Sequence, residues 1–380
     1  MRRRRIDPRP DWAERLEALG LTYHTHDDGA PYWREDACYV FPMAEIERLE
    51  AAVAELQAMC LEAAGHVLER GRFAEYGIPA AMAPVIRESW ERDEVGVYGR
   101  FDLAWDGTGA PRLLEYNADT PTSLVEAAVA QWYWLEERFP GRDQFNSLHE
   151  RLVAAWRRAA GFLPAATVWF LHQDTLEDQQ TVAYLRDTAD QAGLGTAQML
   201  LEDLGWDGDK GVFCDLDGRP VRAAFKLYPW EFLAGDAFGA HLARQPRPCT
   251  FLEPAWKMLL SNKALLAILW ELFPGHPLLL PAYLDGPRDL VAYVRKPILG
   301  REGANVEIHE GGRVAEARPG GYGAEGYVCQ ERAALADFDG FRPVLGAWVV
   351  DGEPAGLGIR ESRSAITDNG SAFVPHLIED

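Results

Sequence analysis

The stretch from Tyr98 to Thr120 constrains the fold more than any other part of this 380-residue chain. Two apolar-rich runs, Tyr98-Gly99-Arg100-Phe101-Asp102-Leu103-Ala104-Trp105 and Leu113-Leu114-Glu115-Tyr116-Asn117-Ala118-Asp119-Thr120, flank Asp106-Gly107-Thr108-Gly109. Asp-Gly between such runs is a reversal signal, so the spacing predicts a β-hairpin. Side chains on a strand alternate faces with period two. Arg100 and Asp102 then share one face, as do Glu115, Asn117 and Asp119, while Phe101, Leu103, Leu114 and Tyr116 take the opposite faces. A turn near 107–110 lets the two polar faces coincide. Oxygen donors gathered in this way suit a hard divalent cation such as Mg²⁺. The exposed face of an ordinary surface hairpin alternates in the same way, so the hairpin allows a metal site without requiring one.

A chain of this length buries a large core and is expected to divide into two or three lobes. Thirteen Trp point to broad aromatic cores or platforms. No apolar run is long enough to span a membrane. Met1-Arg2-Arg3-Arg4-Arg5 is basic, but no apolar stretch follows, so it does not read as a secretory signal and a cytoplasmic setting is expected. The five cysteines (38, 60, 214, 249 and 329) are scattered and form no C-x-x-C, which argues against a disulfide framework or zinc site. The net charge of −21 argues against a nucleic-acid-binding surface, which needs clustered Lys and Arg. It is compatible with drawing in a cationic substrate such as a polyamine, and equally with solubility or a salty cytoplasm.

Along the chain, apolar positions from Ile46 to Ala63 repeat every 3.6 residues and predict a helix over 44–70. Shorter helices are expected over 11–22, 84–92 and 145–160. Another is expected over 123–138, capped by Thr122 or Ser123, with Glu126 at the capping-box position if Ser123 is the N-cap. Thr167-Val168-Trp169-Phe170-Leu171 is a continuous apolar run, as in a strand buried on both faces. With a helix over 174–192 and strands at 197–200 and 221–228, it predicts a separate parallel α/β lobe at about 164–250. His172-Gln173-Asp174 with Glu177-Asp178 follows a strand's carboxyl end, where α/β sheets bind ligands. Acids there also suit a helix N-terminus through its dipole. A helix follows Ser261-Asn262, strands are expected at 290–296, 306–309 and 326–331, and a second hairpin turns at Asp351-Gly352.

Gly300-Arg301-Glu302-Gly303-Ala304-Asn305 lies between two strands expected to be antiparallel. It matches neither a Walker A loop nor a Rossmann turn. Such a tip can lay backbone N–H groups over phosphates, and Lys296 and Lys263 supply point charges for them. An ordinary turn has the same composition; two lysines, a glycine flap and an acidic hairpin together are more specific. Arg360, ending the second hairpin, is a candidate to stabilise developing negative charge, or else a surface ion-pair partner. No G-x-S-x-G elbow or histidine cluster is present, so Ser or Cys nucleophile chemistry has little support.

These residues, with Pro121-Thr122-Ser123 after the hairpin, Lys226-Leu227-Tyr228-Pro229-Trp230-Glu231, Ser261-Asn262-Lys263, Arg295-Lys296-Pro297-Ile298-Leu299-Gly300 and Cys329-Gln330-Glu331, make the chain similar to the glutathionylspermidine synthase family. Within it, the chain resembles the standalone synthetase-like members that lack the amidase domain. The likeness runs over nearly the whole chain in the family's order. It implies a permuted, discontinuous ATP-grasp fold of mixed α+β and α/β character, with the ATP-grasp part at 1–163 and 251–380. Residues 164–250 would be an inserted pre-ATP-grasp-like α/β lobe that binds substrate. It implies an ATP-dependent ligase joining a peptide-like carboxylate to an amine through an acyl-phosphate. By the resemblance, Asp102, Glu115 and Asn117 hold Mg²⁺, and Lys263, Lys296, Gly300, Gly303, Gln330 and Glu331 hold ATP. Arg100 and Arg360 flank the acyl-phosphate, and Thr120, Thr122, Glu177 and Asp178 lie near the substrates. The chain carries threonines at 120 and 122 where the family has serines, and Glu177-Asp178 where it has a Glu-Glu pair. These departures fall on the substrate side. Two other readings remain open to the sequence, an ATP-binding regulatory protein without ligation and a small-acid kinase.

Overall fold

The structure, a computed structural model, describes residues 1–368 and 370–380. The first hairpin forms as its alternation requires: Tyr98–Ala104 pairs antiparallel with Arg112–Asn117, with Arg100 opposite Asn117 and Asp102 opposite Glu115. A bulge follows Asp102, so that Leu103 faces Leu113 and Leu114 is the extra residue. In the connecting loop, Asp106 Oδ1 accepts from the Thr108 amide and hydroxyl, both at 2.7 Å. The second hairpin, Arg342–Val350 with Glu353–Ser362, turns at Asp351 (φ 52°) and Gly352 (φ 83°). Both residues are left-handed, as a two-residue turn matched to strand twist requires.

The two hairpins share one five-stranded sheet, completed by Ala372–Val374. The helix Met43–Arg70 packs against it, burying Ile46, Leu49, Val53, Leu56, Cys60, Ala63 and Val67 along the predicted stripe. A second five-stranded sheet contains Ala292–Pro297, Glu307–Glu310 and Tyr327–Glu331, all antiparallel, with the 300–305 loop at one end. A third sheet is parallel: Thr167–His172 lies between Gly195–Leu200 and Ala223–Lys226, and Thr250–Leu252 is its fourth strand. Its apolar run is buried in part: Val168, Phe170 and Leu171 have zero exposure, while Trp169 is half-buried and Thr167 exposed, so one face of the strand is less covered than expected.

One local expectation is corrected, and the basic start takes a structure that the sequence reading had not assigned. The basic start is an edge strand: Arg2–Arg5 pairs antiparallel with Ala37–Phe41. Arg3 forms a fork with Glu361 at 2.8 and 2.6 Å, and Arg2 and Arg4 both reach Glu379. Opposite charge brought from the far end of the chain stabilises a strand that its own residues do not favour. The capping box at Ser123 does not form. Ser123 has φ 68°, its hydroxyl meets Tyr32 Oη at 3.1 Å, and Glu126 accepts from the same phenol at 2.6 Å. The turn Glu126–Ala130 is π-helical. No helix among the described residues is long and apolar enough to cross a membrane. The five cysteines are free thiols, all buried except half-buried Cys214.

Candidate active site

A cavity of about 660 Å³ opens between the two five-stranded sheets. Arg100, Asp102, Glu115, Asn117 and Arg360 come from one sheet, and Lys296 from the other. Gly300 and Gly303 of the loop, Lys263 at the start of a helix, Thr120, Thr122 and Glu177 complete the set of predicted residues that line it. Seven basic side chains line the cavity against six acidic ones, in a chain whose net charge is −21. The cavity therefore reverses the sign of the molecule, as an anion site requires.

Asp102 is buried and fully paired. Arg100 Nε donates to its Oδ1 at 2.6 Å, and Arg100 Nη2 and Arg360 Nη2 donate to its Oδ2 at 3.1 and 2.8 Å. Arg100 Nη1 also donates to the Thr122 carbonyl at 2.6 Å, fixing the chain beyond the hairpin. Glu115 Oε2 meets Lys263 Nζ at 3.0 Å, and its Oε1 accepts from Asn117 Nδ2 at 3.1 Å. Burial pushes the Glu115 carboxyl up, but Lys263 and Lys296 outweigh it and hold the group well below the usual carboxylate range. Lys263 Nζ donates to the Gly300 carbonyl at 2.6 Å, tying the helix start to the flap.

Lys296 donates to the Leu114 carbonyl at 3.0 Å and to Gln330 Oε1 at 2.8 Å. Burial, helped by Lys263 and opposed by Glu115, pushes its ammonium down to about 8. Gln330 is not on the cavity wall: it stands behind Lys296 and donates to the Leu113 carbonyl at 2.9 Å, so it positions the lysine. Glu331 is exposed at a strand end, also off the wall, with its amide bonded to the Pro281 carbonyl at 2.7 Å. Asp178 is likewise off the wall; its carboxylate accepts from the Gln173 amide at 3.1 Å. Glu177 is open to the cavity solvent yet enclosed by the walls. That enclosure, then the charges of Glu126, Asp178 and Glu302, push its carboxyl up to about 7.

Some participants escaped the sequence reading. Arg301 lines the cavity inside the glycine loop, donating to Thr120 Oγ1 at 3.0 Å and Glu231 Oε1 at 2.7 Å. Gly303 takes φ 70° there, and a Cβ would stand 2.7 Å from the Thr367 carbonyl oxygen. An apolar wall of Ala292, Val294, Val306 and Ile308 also lines the cavity. Its signal was the period-two spacing of each pair, visible only once the two strands are known to face one ligand. Asp119 had no role in the sequence reading. It is 1% exposed, pairs with fully buried Lys226 at 2.5 Å and accepts from the Trp230 amide at 2.9 Å. The hairpin strand ends at Asn117, so alternation no longer directs Asp119, and it anchors the parallel-sheet unit instead.

The donor set at the hairpin fits a hard cation. Asp102 and Glu115 are cross-strand neighbours, and Asn117 can add an amide oxygen two residues on. No cluster of three or more His, Cys, Asp or Glu residues suited to a metal occurs among the described residues, so a cation here would need the Asn117 amide oxygen beside the two carboxylates.

Two antiparallel sheets enclosing a cation-lined cavity, with a glycine flap, define an ATP-grasp-type fold. The chain superposes on a glutathione synthetase-like effector of Globodera pallida with a TM-score of 0.58, at 11% identity, over 98% of this chain and all of that one. The family profile described as glutathionylspermidine synthase pre-ATP-grasp matches residues 3–379. The chain belongs to the glutathionylspermidine synthase family. It is 43% identical to a Haemophilus influenzae protein provisionally named acid–amine ligase, over 97% of each chain. It is 31% identical to trypanothione synthetase of Crithidia fasciculata, and 29% identical to the bifunctional glutathionylspermidine synthetase/amidase of Escherichia coli. It spans 53% and 59% of those two longer relatives.

Proposed function

We propose that the protein is an ATP- and Mg²⁺-dependent acid–amine ligase, forming an amide through an acyl-phosphate. The supporting observation is the convergence of Arg100, Arg360, Arg301, Lys263 and Lys296 on one cavity beside a paired-carboxylate hairpin. The γ-phosphoryl of ATP passes to the substrate carboxylate, the amine attacks the acyl carbon, and phosphate leaves. Asp102, Glu115 and Asn117 would hold Mg²⁺, which would supply charge neutralisation at the phosphate oxygens. The chain's own groups do the rest by position and charge. Lys263 and Lys296 hold the nucleotide phosphates, the glycine flap excludes water, and the apolar wall accepts the base. Arg100 and Arg360 stabilise charge on the acyl-phosphate; both already form charge-assisted bonds to Asp102, which preorganises them. Thr120, Thr122 and Glu177 face the acid and amine, with Asp178 behind Glu177. We take residues 1–163 and 251–380 as the ATP-grasp part and 164–250 as the substrate lobe.

The test is ADP release over peptide-like acids crossed with polyamines and amino acids. ADP and amide formed in equal amounts support the ligase. ADP without amide makes the protein a kinase, and no nucleotide binding by calorimetry overturns both enzymatic readings.

A further inference from the structure

A second cavity, also of about 660 Å³, lies outside the active site. One wall is a face of the helix Leu176–Gln191: Leu176, Gln179, Gln180, Ala183, Tyr184 and Asp187 recur at helical spacing. The opposite wall is the segment that carries Val125, Trp132 and Tyr133, and Glu150 closes one end. From Leu176 to Asp187 the groove runs about 16 Å along the helix.

Its chemistry is distinct from that of the active cavity. Trp132, Tyr133 and Leu176 are large apolar side chains left 37%, 49% and 49% exposed, and the groove gathers all three. The charged carboxylates on its lining are Glu150 and Asp187, and no Lys or Arg lines it. They stand at one end. His149, beside Glu150, meets the Tyr184 hydroxyl and Gln191 Oε1, both at 3.2 Å, and Gln191 Nε2 donates to Asp187 at 2.8 Å. That network holds the two acidic positions on adjoining helices.

We propose that this groove is a second ligand site, for an organic cation with an apolar stem, that is, an alkyl amine. Its ammonium sits at Glu150 and Asp187, and its stem lies over Trp132, Tyr133 and Leu176. Aromatic faces and carboxylates attract a cation by quadrupole and charge, and an anion meets neither. Leu176 lines this groove and the next residue, Glu177, lines the active cavity, so an occupant stands one residue from the reaction site.

The test is calorimetry with 1,8-diaminooctane and with octanoate, without nucleotide, in about 150 mM salt to suppress diffuse surface association. Two variants are compared with the wild type. Glu150→Gln/Asp187→Asn removes the charge. Ala183→Trp fills the groove from an exposed position and leaves the core untouched. Both variants are expected to weaken diamine binding by about tenfold or more, the scale of a desolvated cation contact. Octanoate is expected to show no saturable binding that either variant removes. Wild-type diamine affinity in either variant, or octanoate binding as tightly as the diamine, overturns the site. The readout is the binding class that the variants remove; diamine entering the active cavity as a substrate would appear as a separate class unchanged in both variants, so failure of this site and failure of the ligase reading stay distinguishable.

Discussion

Asp102 has both its oxygens paired to guanidinium groups. Asp102→Asn removes the anionic oxygen that orients Arg100 and Arg360 and that would hold the cation. ADP release is expected to fall by about 10²–10³-fold, the usual loss of a preorganised charge, with the circular dichroism spectrum kept. Unchanged turnover would remove the metal assignment. Lys296 gives a pH signature. Its ammonium titrates at about 8 in the free protein, so its positive charge is present below that pH and lost above it. The kcat/KM for ATP is expected to decline as pH rises through about 8, and Lys296→Arg should shift that decline upward, because guanidinium stays charged. A decline at the same pH in both proteins would assign the titration elsewhere.

At the scale of elements, the joint between the hairpin and the parallel-sheet unit is a buried ion pair. Asp119 meets Lys226 and the Trp230 amide, and one residue on Arg301 bridges Thr120 to Glu231. Removing one member of a buried pair leaves the other charge uncompensated, at a cost of about 3–5 kcal/mol. Asp119→Ala should therefore lower the urea midpoint strongly, while Asp119→Leu/Lys226→Met should recover much of that loss. A small effect of the single change would show that the joint is solvated. The hairpins themselves were legible because turn chemistry and alternation act locally. The Arg2–Arg5 strand and the π-helical turn were not, because each depends on partners far along the chain: Glu361 and Glu379 for one, Tyr32 for the other.

For the whole molecule, a net charge of −21 surrounds a cavity whose lining is slightly basic. Under the proposed ligase function, the outer field would draw in a cationic amine and oppose a polyphosphate, while the cavity would hold the polyphosphate once it arrives. Raising salt from about 50 to 300 mM shortens the screening length. The kcat/KM for the amine is expected to fall several-fold while that for ATP rises or holds. Parallel salt responses for the two substrates would show that steering comes from the cavity and not from the surface.

The sequence by itself determined the hairpins, the long amphipathic helix, the parallel strands and the acidic, basic and glycine-rich parts of the candidate site. Period and turn chemistry are properties of neighbouring residues, and the family motifs are contiguous. Only the tertiary structure decided which parts meet. It put Gln330 behind Lys296 and off the cavity wall, turned Asp119 from the hairpin face into a buried anchor, and brought Arg301 to the cavity. The physical reason is that a side chain's role is set by its ion-pair and hydrogen-bond partners. In this protein several of the deciding partners come from strands and loops more than a hundred residues away in the chain, as with Asp102 and Arg360 or Glu115 and Lys263.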